Sequence, residues 1–162
     1  MTRSYARGPR GNRVISKVSK KRGKNFTLIC ALSLMAVQAE LVIEGALNGQ
    51  IFKTYIKEVL CPSLRKGQTV IMDNLPSHKI KEIRSLIEAV GCSLIYLPPY
   101  SQDFNPIEML FSKLKAYMRG KSEQVREKLV ETLGRAISQV TLSDLIGWFM
   151  HAFPTLLHSQ LL

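Results

Sequence analysis

Apolar positions along the chain follow two different periods, and the switches between them mark the predicted elements. Two β-rich runs, Asn25 to Met35 and Gln38 to Ile43, stand two or three residues apart and read as an antiparallel hairpin whose second strand ends at Glu44-Gly45. Between them lies no strong turn former, so the strand ends are soft. From Asn48 the spacing turns helical: Asn48 is the predicted cap, Ile51, Phe52, Tyr55, Ile56, Val59 and Leu60 fall inside, and Pro62 closes the helix.

The stretch from Thr69 to Gly120 alternates strand, helix, strand, helix. Val70 to Met72 is a short apolar run that delivers Asp73 to a strand end, where Asn74, Leu75 and Pro76 break the ladder. Ser77 is the expected cap of the next helix, with Ile80, Ile83, Ile87 and Val90 on its apolar face and Gly91 as its stop. Ser93 to Leu97 is the second strand, ended by Pro98 and Pro99 because proline has no N–H to give the ladder. The turn Tyr100-Ser101-Gln102-Asp103 then leads to Asn105 at the cap and Pro106 in the first position of a helix with Ile107, Leu110, Phe111, Leu114 and Met118 inside. Strands joined through a helix are expected to run parallel, so Asp73 and the turn before Glu108 should emerge at one sheet edge, where open α/β sheets place their ligands.

Downstream, Val125, Leu129, Leu133, Ile137 and Val140 make one helical stripe. Thr141 with Asp144 has the form of a capping box, opening a last helix in which Trp148 and Phe149 are core residues. The expectation is a single α/β domain: a basic arm over residues 1–23, a core over 24–120 and a helical extension over 121–162.

Composition fits one sizeable core, with 46% hydrophobic and 22% charged residues in a chain of 162. The net charge of +11 changes the picture, because its distribution is uneven. Arg3, Arg7, Arg10, Arg13, Lys17, Lys20, Lys21, Arg22 and Lys24 all precede the first acid, Glu40. A polyanionic partner follows, with the arm reading either as a phosphate-contacting segment, extended near Arg13 to Val18, or as a solvated terminus. The basic head followed by apolar Phe26 to Val37 imitates a signal peptide, but the run is too short to span a bilayer and a buried strand in a cytoplasmic protein explains it. Cys30, Cys61 and Cys92 lack metal-site spacing and read as reduced core residues.

Asp73 and Glu108 are the candidate chemistry. Paired carboxylates at such a place can hold Mg²⁺, which takes hard oxygen ligands and keeps waters for a phosphate substrate. Each also has a purely local reading: Glu108 could close a capping box on Asn105, and Asp73 could start an Asx-turn. His78 reads as a packed or solvent-facing helix-start residue rather than a ligand.

Asp73-Asn74-(three residues)-His78, Leu97-Pro98-Pro99-Tyr100-Ser101 and Asn105-Pro106-Ile107-Glu108, with thirty-four residues between the two acids, together resemble the mariner-like transposases of bacterial insertion sequences, which are DDE-type enzymes. The likeness runs from Arg7-Gly8-Pro9-Arg10-Gly11 through Glu44-Gly45 and Asn48-Gly49 to about Arg119. It implies a ribonuclease H-like mixed sheet flanked by helices and metal-dependent cleavage and strand transfer of DNA. It also implies Asp73 and Glu108 as catalytic metal ligands, Mg²⁺ or Mn²⁺ as cofactor, and transposon ends and target DNA as partners. Arg7, Arg10, Arg13, Lys17, Lys20, Lys21, Arg22 and Lys24 would lie along the DNA backbone.

The resemblance further implies a third acid, on a first, central strand upstream of Arg7 to Gly11, whereas no acid here precedes Glu40. The expectation is therefore a sheet lacking its first central strand, the gap filled by the basic arm or by another chain, an upstream transposase fragment or a homodimer partner. Glu44 and Asp103 are the nearest substitutes, though each fits a local turn better. Two functions follow: the catalytic portion of a DDE transposase, inactive as an isolated chain, or a non-catalytic fragment that binds nucleic acid without sequence preference.

Overall fold

The computed structural model describes residues 8–11, 25–120 and 129–154. The hairpin is present: β1 (Phe26–Leu32) pairs antiparallel with β2 (Val37–Glu44), from Phe26 opposite Glu44 to Leu32 opposite Val37. The strands stop short of Met35 because Ser33 builds the turn itself, its Oγ accepting the N–H groups of Met35 at 3.3 Å and Ala36 at 3.1 Å. Register slips midway: Ala39 and Glu40 together oppose Cys30, with Ala39 in the left-handed region at φ 54°. This bulge adds twist to the hairpin.

Asn48 caps α1 (Gly49–Tyr55) as expected, its Oδ1 accepting from Ile51 N–H at 2.9 Å. The helical run does not close at Pro62. It continues through a wider π turn (Ile56–Leu60) into α2 (Cys61–Ser63), with Pro62 inside the last turn. Proline supplies no N–H, and the ladder ahead of it has already shifted by one residue, Cys61 N–H reaching Ile56 O.

The second sheet pairs β3 (Thr69–Met72) with β4 (Ser93–Tyr96) in parallel, Thr69 opposite Ser93 and Met72 opposite Tyr96. Leu97 lies just past β4, but its N–H still donates to Met72 O at 2.8 Å. Between the strands Ser77 does not cap a helix. Pro76–His78 form a 3₁₀ turn instead, and α3 (Lys81–Ala89) starts behind Ile80, which has extended backbone and no side-chain cap. Ile80 packs on the core, so burial rather than capping chemistry sets that boundary. Val90 is not on the inner face; it leaves the helix and is exposed, and Gly91 at φ 76° makes the stop.

Three further helices follow among the described residues: α4 (Ile107–Gly120), α5 (Leu129–Ile137) and α6 (Leu142–Ala152). The Thr141–Asp144 capping box is formed. Val125 and the extended piece near Arg13 fall outside the described residues.

Alternation along β1 divides the core. Ile29 packs with Phe52, Ile56, Ile83, Ile87 and Leu94 under the β3–β4 unit, whereas Cys30 packs with Leu110, Leu114 and Ala136 of α4 and α5. Trp148 packs against the second cluster; Phe149 instead faces a cleft. Among the described residues the two strand pairs do not join into one sheet. An apolar cleft of about 540 Å³ lies between β1 and β3, lined by consecutive residues of both strands, which is what an open backbone edge presents. No helix among the described residues is long and apolar enough to cross a membrane.

Candidate active site

Parallel pairing places Asp73, one residue beyond β3, beside the loop that follows β4 and enters α4. Asp73 and Glu108 both line a second cleft of about 310 Å³, together with Asn74, Leu97, Pro98, Tyr100 and Asn105, and both also lie at the rim of the larger apolar cleft. The structure thus brings the two sequence-predicted acids to one opening. Glu44 and Asp103 line neither cleft.

The local reading of Glu108 does not hold. Asn105 caps the helix, its Oδ1 accepting from Ile107 N–H at 3.3 Å, but its own N–H donates to Gln102 O at 2.9 Å. A capping box would need that N–H for the Glu108 carboxylate. Glu108 is exposed and has no side-chain hydrogen bond or ion pair among the described residues, so its charge faces the cleft.

The local reading of Asp73 does hold, and it uses one oxygen. Leu75 N–H donates to Asp73 Oδ1 at 3.3 Å, which is the Asx-turn. The same oxygen lies 2.5 Å from His78 Nδ1. Of the two readings open for it, His78 is packed: its ring stacks on Phe52 with centroids 4.1 Å apart, and its backbone carbonyl accepts from Tyr96 OH at 2.7 Å. Burial raises the Tyr96 phenol pKa, with Arg84, whose guanidinium carbon lies 5.9 Å from the ring centroid, opposing the rise.

The donor set fits a hard divalent cation in kind. Two carboxylates open into the cleft, and beside them Asn74 Oδ1 is buried with no hydrogen-bond partner, an orphaned acceptor that a cation or its water would satisfy. In the sequence Asn74 reads as a strand breaker and as part of the motif Asp73-Asn74-(three residues)-His78; neither marks its amide oxygen as orphaned. No group of three His, Cys, Asp or Glu residues gathers as a metal site among the described residues. Of the basic arm, Arg10 is described and exposed, in a turn with Gly11 at φ 91°; Arg7, Arg13, Lys17, Lys20, Lys21, Arg22 and Lys24 lie outside the described residues.

A search of curated proteins finds no match to this chain. The family model for the DDE superfamily endonuclease matches residues 1–130, a span that contains β1 through α4 and both acids of the cleft. That match covers most of the chain, which therefore belongs to the DDE superfamily endonucleases.

Proposed function

We propose that this chain carries the catalytic portion of an insertion-sequence transposase of the mariner-like type, cutting and joining DNA by phosphoryl transfer, with Asp73 and Glu108 as its metal-binding catalytic acids. One observation carries the reading: Glu108 is released from capping and shares a cleft with Asp73, so two carboxylates line the same small volume. Carboxylates brought together repel each other and a cation between them relieves that cost, while the turn and His78 occupy only Oδ1 of Asp73. When bound, Mg²⁺ or Mn²⁺ would supply the positive charge that stabilises attacking and leaving oxygens in an in-line displacement. Asp73 and Glu108 would orient that ion, Asn74 would accept from its water shell, and the arm from Arg7 to Lys24 would hold the DNA backbone.

The cleft between β1 and β3 belongs to the same reading. Two open strand edges lining one apolar slot fit a further strand between them, as the central strand of a ribonuclease H-like sheet would lie. That strand would bring the third carboxylate to the end where Asp73 stands.

The test is metal-dependent nicking of transposon-end DNA by the complete protein. Asp73→Asn and Glu108→Gln are each expected to abolish cleavage while leaving DNA binding intact. Undiminished cleavage by either variant removes that residue from the mechanism.

A further inference from the structure

Asp73 divides two oxygens between two tasks. Oδ1 closes the turn onto Leu75 N–H and faces His78, whereas Oδ2 has no hydrogen-bond partner among the described residues. His78 is held at both ring and backbone: the ring face lies on Phe52, itself 4% exposed, the backbone carbonyl takes the Tyr96 hydroxyl, and the backbone N–H donates to Leu75 O at 2.9 Å. Ring Nδ1 is shielded from solvent and makes no aligned hydrogen bond, although Asp73 Oδ1 is 2.5 Å away. A small rotation of the carboxylate would satisfy both atoms.

We propose that His78 is a positioning residue for Asp73: the ring, stacked on Phe52 and carried on a backbone that Tyr96 and Leu75 hold, fixes Oδ1 and thereby turns Oδ2 into the cleft toward the cation that Glu108 shares. The inference rests on the metal reading of the two acids. Hydrogen bonds to the far side of a ligand fix its orientation and are felt in metal affinity even though they never touch the ion. A stacked ring with no positioning role would be replaceable by any flat apolar side chain.

The full chain, labelled with ¹⁵N, supplies two readouts. Ring-nitrogen spectra of His78 without metal are expected to show a single tautomer with the proton on Nδ1, giving way to a mixture in Asp73→Ala. Calorimetric titration with Mn²⁺ is expected to show about tenfold weaker binding in His78→Phe, which keeps the stacking, and near wild-type binding in His78→Asn, whose amide nitrogen approximates Nδ1. Equal Mn²⁺ affinity in wild type and a folded His78→Phe overturns the proposal. Should wild type bind no Mn²⁺, the metal reading falls, and the ring spectra decide the coupling alone: a tautomer unaffected by Asp73→Ala overturns it, as it does if His78→Phe fails to fold.

Discussion

Lys113 on α4 pairs with Asp144 at the start of α6 through Oδ2, the same oxygen that accepts the backbone N–H and the hydroxyl of Thr141, each at 2.8 Å. One carboxylate therefore ties the helix that carries Glu108 to the cap of the last helix. The Lys113 ammonium first, then the Thr141 N–H and hydroxyl, hold the Asp144 carboxyl down at about 2. A depressed folded-state pKa stabilises above the unfolded value, near 3.9, and that contribution disappears as pH falls through the folded one. Fluorescence of Trp148, the single tryptophan and a member of α6, is expected to report loosening of that helix between about pH 4 and pH 2. Asp144→Asn should remove this part of the acid transition, and Thr141→Ala should cost about 1 kcal/mol through the lost cap.

Gly91 ends α3 at φ 76°, and a Cβ there would stand 2.7 Å from Lys66 Cγ. The lysine stem can move aside, so the backbone conformation is the larger obstacle. Gly91→Ala is expected to destabilise the chain by about 1–2 kcal/mol in urea denaturation, with an unchanged dependence on denaturant.

How far the sequence carries depends on what sets each feature. The parallel β3–β4 pair, the Asn48 cap and the Thr141–Asp144 box follow from local patterns, so they were legible. Ser77 misled because Pro76 drives a tight turn and the burial of Ile80 fixes the helix start, a tertiary effect. The π turn ahead of Pro62 leaves no mark in hydrophobic spacing, since the same residues face the core. At the site, spacing located Asp73 and Glu108, but spacing does not reveal that Asn105 N–H goes to Gln102 or that His78 lies against one oxygen of Asp73.

The three cysteines make a probe of opening. Cys30, Cys61 and Cys92 are all buried and free. Burial, with Glu40 nearby, pushes the Cys30 thiol up to about 12, and burial likewise raises Cys61. Since the thiolate is the nucleophile, alkylation of Cys30 at pH 8 is expected to track unfolding of the wall between the two core clusters. Leu110→Ala, at a fully buried site beside Cys30, should speed that labelling and cost about 3 kcal/mol. Rapid labelling of Cys30 in the unmutated chain would contradict its placement.

A charge of +11 predicts binding to unrelated duplexes with little sequence preference and a steep salt dependence. With about six phosphate contacts, affinity should fall on the order of a thousandfold between 50 and 200 mM salt. Arg10→Ala is expected to lower the slope of log K against log salt by about 1, equally for every duplex. A strong preference for one sequence at physiological salt would require base-edge contacts and would count against backbone binding as the main source of affinity.

The strand proposed for the cleft between β1 and β3 makes the most demanding prediction. Open edges beside an apolar slot leave backbone N–H and C=O groups to water, and a strand laid between them would pair both edges and bury the slot at once. Because β3 runs out at Asp73, the end of that strand would reach the same opening, where a carboxylate would add charged oxygens to those of Asp73 and Glu108. Two carboxylates offer few charged oxygens against the cost of stripping water from Mg²⁺, so the 162-residue chain is expected to bind the ion weakly and to leave DNA uncut. A strand of alternating apolar residues ending in aspartate, supplied as a peptide or fused in cis, should raise the melting temperature and tighten Mn²⁺ binding together, since a ligand that binds only the folded state stabilises it. The same strand ending in asparagine separates the two effects: the melting temperature should still rise, while Mn²⁺ affinity should not. Tight binding of two ions by the chain alone, with cleavage, would show that the third ligand lies elsewhere in these 162 residues.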